Sequence, residues 1–144
     1  MIFTRELYLN ICVQDLKRSK EFFRSLNLSF HPQFSNEHGA CLILSPSLYV
    51  MLLTPSFFES FILGKSIVNA HTQTESIIGL SACSREEVDT LVEKAILAGA
   101  KPFGDLSDQG WMYSRAFEDL DGHIWEVLFM DTTSIPTETG SKAS

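Results

Sequence analysis

One pattern of secondary-structure signals occurs twice along this chain, and the repeat restricts its fold more than any other feature. In each copy an alternating apolar segment is followed by a helix-capping residue, an amphipathic helix and three further segments of strand character. Any α+β chain can show two strand–helix units by chance. The same order of elements in both halves nevertheless favours two βαβββ modules.

The first copy begins with residues 7–13, which alternate as a strand does. Asp15 is a residue type that caps helix N-termini, and Leu16, Phe22 and Phe23 follow at helical spacing as a buried stripe. Asn27 is suited to ending that helix. Further strands are predicted over residues 28–34, 40–44 and 49–54.

The second copy begins with a strand over residues 77–82. Ser84 and Glu87 stand three residues apart, as in a capping box that satisfies free backbone amides at the start of a helix. Gly99 is placed to end this helix. Further strands are predicted over residues 101–103, 112–118 and 123–130.

These signals predict one domain over residues 1–131, with a connector between its modules. Within the connector, residues 55–65 hold phenylalanines at helical spacing, and the polar stretch that follows is suited to a mobile loop or lid. The tail is rich in Thr, Ser, Gly and Pro, so we expect it to be disordered. The predicted divisions are residues 5–54 for module one, 55–75 for the connector, 76–131 for module two and 132–144 for the tail.

Composition excludes several classes of function. With 144 residues and a net charge of −7, the chain lacks the basic surface that binds nucleic acid. It has no apolar run long enough to span a membrane and no signal peptide. Cys12, Cys41 and Cys83 are odd in number and widely spaced, so we expect reduced thiols in a cytoplasmic protein.

The segment from Asp119 to Val127 carries the clearest chemical signal. Asp119-Leu120-Asp121-Gly122 favours a tight turn, and the strand that follows places Glu126 on one face with apolar neighbours. Burial disfavours the charged form of a carboxylate, which would suit Glu126 to act as a general base. Alternatively, Glu126 bonds to Arg115 or Tyr113 and only satisfies buried polar groups.

Two sets of residues resemble motifs of the vicinal-oxygen-chelate superfamily, which includes glyoxalase I, extradiol dioxygenases and the fosfomycin- and bleomycin-resistance proteins. They are Val13-Gln14-Asp15-Leu16-Lys17-Arg18-Ser19 with Phe22-Phe23, and Asp119-Leu120-Asp121-Gly122-His123 with Glu126. Ser84–Asp89, Gly110–Tyr113 and Phe117–Asp119 look most like a branch labelled "predicted lactoylglutathione lyase". The resemblance implies an α+β fold in which two βαβββ modules form a curved mixed sheet with a cleft, and a homodimer.

The parity of strand residues predicts which side chains would line that cleft. If alternate residues of the first strand of each module pack under a helix, then Tyr8 and Asn10 in one module and Ser81 in the other face the cleft. We assign Tyr113 and Arg115 to the cleft as well, because an arginine beneath a helix would need a costly partner. Trp111 is predicted to form a wall for a flat or apolar ligand, or to belong to the core or a dimer interface.

In the superfamily, a divalent metal is held by His, His or Gln, and Glu on inner strand faces. Of these positions only Glu126 matches here, since Tyr8 and Ile77 stand at two others. Asn10 and Glu126 would give at best two ligands, fewer than the three that a catalytic site needs. The four histidines are predicted to be surface or turn residues, and whether a metal binds is left open.

Three functions follow. The first is a glyoxalase-like protein, of the lyase or isomerase class if it is an enzyme, that acts on or binds a small carbonyl or thiol-adduct metabolite at Glu126. The second is a metal-free module of the bleomycin-resistance type that sequesters an apolar or cationic ligand. The third is an interaction domain whose cleft is closed by its own side chains.

Overall fold

The computed structural model describes residues 3–136, and the chain within it divides into two compact units, one ending at Gln73 and the other beginning at Thr74. Both are α+β, and each has its own mixed sheet. The predicted tail falls partly outside the described residues, so its disorder stays a prediction.

The N-terminal unit has a four-stranded sheet covered by one helix. Its strand order is β1-β4-β3-β2, with β1 parallel to β4 and the other neighbours antiparallel. Helix α1 contacts β3 and β4. The elements are β1 (Leu7–Cys12), α1 (Leu16–Ser25), β2 (Ser29–Phe30), a 3-10 turn (Pro32–Phe34), β3 (Gly39–Ser45), β4 (Leu48–Leu53) and α2 (Pro55–Glu59).

Local signals explain where α1 begins and ends. The Asp15 carboxylate accepts a hydrogen bond from the amide of Arg18 at 3.1 Å, and Asn27 follows with a φ of +65°, a left-handed conformation that asparagine tolerates. The strand predicted over residues 28–34 is wrong beyond Phe30. Pro32 has no backbone N–H to give to a sheet, and a 3-10 turn begins there.

The C-terminal unit repeats the same arrangement with one added strand. Its order is β5-β9-β8-β6, β5 is parallel to β9, and the short β7 also pairs with β8. Helix α3 packs against β8 and β9. The elements are β5 (Ile77–Ser81), α3 (Arg85–Leu97), β6 (Lys101–Pro102), β7 (Ser107–Asp108), β8 (Met112–Glu118) and β9 (Ile124–Met130).

Helix α3 begins at the predicted cap, with one change in the bonding. The Ser84 hydroxyl accepts from the amide of Glu87 at 3.1 Å, but the Glu87 carboxylate accepts from the amide of Cys83, one residue before Ser84. Gly99 follows the helix with a φ of +113°. The prediction of two βαβββ modules in an α+β fold is therefore confirmed.

The core of each unit lies between its sheet and its long helix. In the C-terminal unit, Phe117 and Trp125 are stacked with ring centroids 6.5 Å apart, and both are almost fully buried. Such aromatic burial contributes much of the stability of a small core. In residues 3–136, none of the helices has the length and apolar character needed to cross a bilayer. Location in the cytoplasm stays a prediction.

Candidate functional site

Glu126 lies near the middle of β9, on the sheet face turned away from α3. Its register partners are Gly79 on β5 and Ala116 on β8. Glycine has no side chain and alanine only a methyl group, so neither residue covers the carboxylate. Trp125 and Val127, one residue to either side, are buried on the helix-covered face. The strand period therefore places Glu126 as predicted relative to its neighbours on β9.

A cavity of about 200 Å³, the Glu126 hollow, is formed within the C-terminal unit beside this carboxylate. Its wall is mainly apolar, and the polar side chains along it are two serines and the carboxylates of Asp105 and Glu126. Arg115 also borders the hollow, but Asp89 and Glu93 on α3 bind its guanidinium. The lining residues are Ile77, Phe103, Gly104, Asp105, Ser107, Ser114, Arg115, Ala116, Ile124 and Glu126.

The carboxylate of Glu126 is half-buried and has no partner among the residues that the structure describes. Across residues 3–136, no donor forms a hydrogen bond with it and no cation pairs with it. The alternative interpretation, in which Glu126 only satisfies Arg115 or Tyr113, is therefore wrong. A partly desolvated carboxylate without a donor retains unused capacity to accept hydrogen bonds.

Tyr113 and Arg115 lie on the opposite face of the sheet, beneath α3, and their predicted position beside Glu126 is wrong. The Tyr113 hydroxyl donates to Asp89 at 2.7 Å, and the Arg115 guanidinium donates to Asp89 at 3.0 Å and to Glu93 at 2.8 Å. Asp89 and Glu93 are thus the acidic partners that offset the cost of placing an arginine beneath a helix. Asp89 and Glu93 are one helical turn apart and both face β8.

This network shifts the ionisation of its members. The hydrogen bond from Tyr113, and then that from Arg115, lower the pKa of Asp89. The same bond to Asp89 raises the pKa of Tyr113. Tyr113 and Arg115 therefore connect the strand to the helix, and their predicted contact with a ligand remains untested.

A second arginine holds the loop that precedes β8. Arg85 donates to both carboxylate oxygens of Asp108, at 2.6 and 3.0 Å, and to the carbonyl of Gly110 at 3.0 Å. Its guanidinium carbon lies 4.9 Å from the centre of the Tyr113 ring. The bond from Arg85 lowers the pKa of Asp108 to about 2.

Replacing Arg85 by methionine is expected to raise the pKa of Asp108 from about 2 toward its ordinary value of 3.8. Because the folded pKa lies below that value, the pair stabilises the fold above about pH 4, and this contribution is lost as pH falls toward 2. Carbon-13 NMR titration of the Asp108 carboxyl measures the change. Glu86→Gln, an exposed change on the same helix, should leave the titration unaltered, and an unshifted Asp108 in Arg85→Met would contradict the assignment.

The Asp119 carboxylate holds the turn that precedes β9 by accepting three hydrogen bonds. One of its carboxylate oxygens accepts from the amides of Asp121 and His123 at 2.9 and 3.0 Å, and the other accepts from the Trp125 indole at 2.9 Å. Burial raises the pKa of Asp119, and these donors oppose that effect. Gly122 has a φ of +92°, which a glycine adopts without strain.

The other predicted ligand contacts are distributed over both units. Ser81 is exposed on the same sheet face as Glu126, and Trp111 is half-buried just before β8. In the N-terminal unit, Tyr8 and Asn10 are exposed, and their register partners on β4 are Tyr49 and Met51, which alternate with the buried Val50 and Leu52. The Tyr8 ring stacks on Tyr49 at 5.1 Å. Binding roles for these residues stay predictions.

The residues around Glu126 do not supply the further ligands that a metal ion would need. Its neighbours on the same face include Gly79, Ala116, Ile124 and Leu128, none of which is a metal ligand. Throughout residues 3–136, no three His, Cys, Asp or Glu side chains come together as a metal site requires. The described residues therefore do not provide the ligand set that the superfamily resemblance implies.

Sequence reasoning missed the loop residues of the hollow, Phe103, Asp105 and Ser107. The signal available was the short polar run between two predicted strands, which is typical of a functional loop. It also missed Asp89 and Glu93 as partners of Arg115, although their four-residue spacing placed two carboxylates on one face of α3.

Two βαβββ units are the architecture that the resemblance to the vicinal-oxygen-chelate superfamily implies, and similarity to solved structures confirms that resemblance at the level of the fold. No protein-family model and no curated protein matches the sequence. Solved structures do match it. A hypothetical protein from S. aureus is 26% identical with a TM-score of 0.73, over 88% of this chain and 95% of its own.

Two further structures show the same fold. A glyoxalase/bleomycin resistance protein/dioxygenase family enzyme from Burkholderia phytofirmans has a TM-score of 0.72 at 15% identity, over 85% of this chain and 96% of its own. The fosfomycin resistance protein FosX from Listeria monocytogenes has a TM-score of 0.64 at 21% identity, over 89% of this chain and 92% of its own. At these identities the match concerns the fold.

Proposed function

We propose that this protein binds a small, largely apolar organic ligand in the Glu126 hollow, and that the ligand presents a positive charge or a hydrogen-bond donor to Glu126. The observation that carries the proposal is the half-buried carboxylate that lacks a donor among the described residues. A ligand cation would supply the missing partner in a site of low polarity, where such a bond is strongest.

The charges around the hollow support a cationic ligand over an anionic one. Two lining residues, Asp105 and Glu126, are acidic, while the guanidinium of Arg115 is paired with Asp89 and Glu93. An anion would meet uncompensated negative charge here. This favours sequestration of an apolar cation, as in the metal-free module of the bleomycin-resistance type inferred from the sequence.

A second candidate function is proton abstraction from a small carbonyl or thiol-adduct metabolite. The favouring observation is the open space above Gly79, where the nearest atom to an added Cβ would be the Leu128 Cδ2 at 3.8 Å. A substrate carbon could approach Glu126 there. The carboxylate would take the proton from the carbon next to the carbonyl, and the electron pair of that C–H bond would pass to the carbonyl oxygen as an enolate.

Assembly as a homodimer also stays a proposal. It is supported by exposed apolar side chains on sheet faces not covered by the long helices, among them Tyr8, Ile77 and Met130. Larger apolar surfaces of this kind are typical of protein–protein interfaces.

Titration calorimetry with three probes of equal length tests the leading function: n-hexylammonium, n-hexanol and n-hexanoate. We expect n-hexylammonium to bind most tightly, and Glu126→Gln to weaken it about tenfold, because one charge-assisted hydrogen bond to a partly buried group is lost. Glu86→Gln removes the same charge from an exposed site on α3 and should leave binding unchanged. A preference for n-hexanoate, or equal binding by Glu126→Gln, would overturn the proposal.

Deuterium exchange separates the two candidates. Hydroxyacetone in D2O, followed by proton NMR, should exchange its carbon-bound protons faster with the wild-type protein than with Glu126→Gln if Glu126 is a base. Equal rates would reject the second candidate without affecting the first.

A further inference from the structure

We propose that Asp105 provides a second carboxylate to the ligand bound at Glu126, so that the site selects a ligand with two positive centres over one with a single positive centre. The inference rests on the proposed function, because it requires a cationic ligand in the Glu126 hollow. Asp105 lies on the loop between β6 and β7, and it would determine which ligand is preferred.

Residues 103–106 form a short flap that is fixed at both ends. The Phe103 amide donates to the carbonyl of Ala116 at 3.0 Å, and beyond the flap Ser107 pairs with Ser114 on β8. Between these points Gly104 has a φ of +67°, and no atom lies within 4 Å of the position that a Cβ would take there. The flap is therefore held to β8 at both ends, while the space beside Gly104 is open.

Asp105 stands at the middle of the flap and lines two cavities. One is the Glu126 hollow, and the other is a cavity of about 400 Å³ bordered by Asp89, Tyr113 and Arg115. Within the described part of the chain, the Asp105 carboxylate has neither a hydrogen-bond donor nor a cation as partner. Its charge is thus available to a ligand at the edge of the Glu126 hollow.

The two acidic residues of this loop differ in a way that supports the assignment. Asp108 is bound on both oxygens by Arg85 and also accepts from the Gly110 amide, so its carboxylate fixes the loop. Asp105, three residues earlier, takes no part in fixing the loop. A merely solvated Asp105 is the alternative, and it predicts that the charge of Asp105 has no effect on ligand choice.

The size of the expected effect follows from exposure. Glu126 is half-buried and Asp105 is exposed, so the contact at Glu126 should dominate affinity and the contact at Asp105 should add a smaller preference. An exposed ion pair changes an equilibrium by about threefold. It should also weaken as salt is added, because exposed charges are screened.

Titration calorimetry with 1,6-diaminohexane and n-hexylammonium tests the inference on the full chain. We expect the wild-type protein to bind the diamine about threefold more tightly, and Asp105→Asn to abolish that preference while n-hexylammonium binds within about twofold of the wild-type value. Glu86→Gln is the control for loss of one negative charge. An unchanged thermal midpoint of Asp105→Asn would show that its fold is intact.

The outcomes separate the two proposals. Failure of the wild-type protein to bind either amine would reject the proposed function, and the inference with it. Equal wild-type affinity for the two amines, or a preference that survives in Asp105→Asn, would reject the inference alone. Loss of n-hexylammonium binding in Asp105→Asn would also reject it, since Asp105 would then be part of the primary contact.

Discussion

Asp119→Ala is expected to lower the free energy of unfolding by about 3 kcal/mol, because it removes the carboxylate that accepts from the buried indole N–H of Trp125 and closes the turn. The Asp119 side chain accepts from the amides of Asp121 and His123 as well as from Trp125. Urea unfolding measures the loss, with an unchanged slope showing that the folded and unfolded states remain comparable.

A double-mutant cycle identifies the cause of this loss. Asp119→Asn keeps one acceptor oxygen for the turn but places an amide N–H against the Trp125 N–H, so it should cost roughly half as much as alanine. In a Trp125→Phe background that clash is absent, and the cost of Asp119→Asn should shrink. An identical cost in both backgrounds would show that the indole bond contributes nothing.

Most of the fold was predictable because short-range signals determine its elements. Asp15 and Ser84 cap their helices, and Asn27 and Gly99 follow the helix ends in left-handed conformations, as the sequence indicates. Prediction failed for the second strand, where the local signal of a proline was not taken as a strand end, and for β7, which depends on pairing with another strand. Pro32 prevents the second strand from continuing, and the two-residue β7 exists only because β8 lies beside it.

The site was less predictable, because parity gives the alternation along a strand but not which face the helix covers. On β9 the run of Trp125 and Val127 identifies the buried face, so Glu126 could be assigned to the other. On β8 both faces carry polar residues. The cost of burying an arginine favours a place for Arg115 beside Glu126, but the carboxylates of Asp89 and Glu93 on α3 offset that cost.

Arg115→Met is expected to lower the free energy of unfolding by about 2 kcal/mol, because the carboxylates of Asp89 and Glu93 lose their shared cation and then repel each other. The Arg115 side chain is 23% exposed, so the loss should be smaller than for a fully buried pair. Urea unfolding at neutral pH measures it. Glu93→Gln is the matched control, since that partner is 60% exposed and its removal should cost less than about 0.5 kcal/mol.

The same variant separates a structural role for Arg115 from a role in binding. Its guanidinium lies on the face that α3 covers, whereas Glu126 lies on the other face, so n-hexylammonium should bind Arg115→Met as tightly as the wild-type protein. A stable Arg115→Met that fails to bind the probe would contradict this assignment. It would then support the contact predicted from the sequence, with Arg115 leaving Asp89 when a ligand enters. Unchanged binding together with the expected loss of stability would show that Arg115 serves the fold and that the hollow uses Glu126 without it.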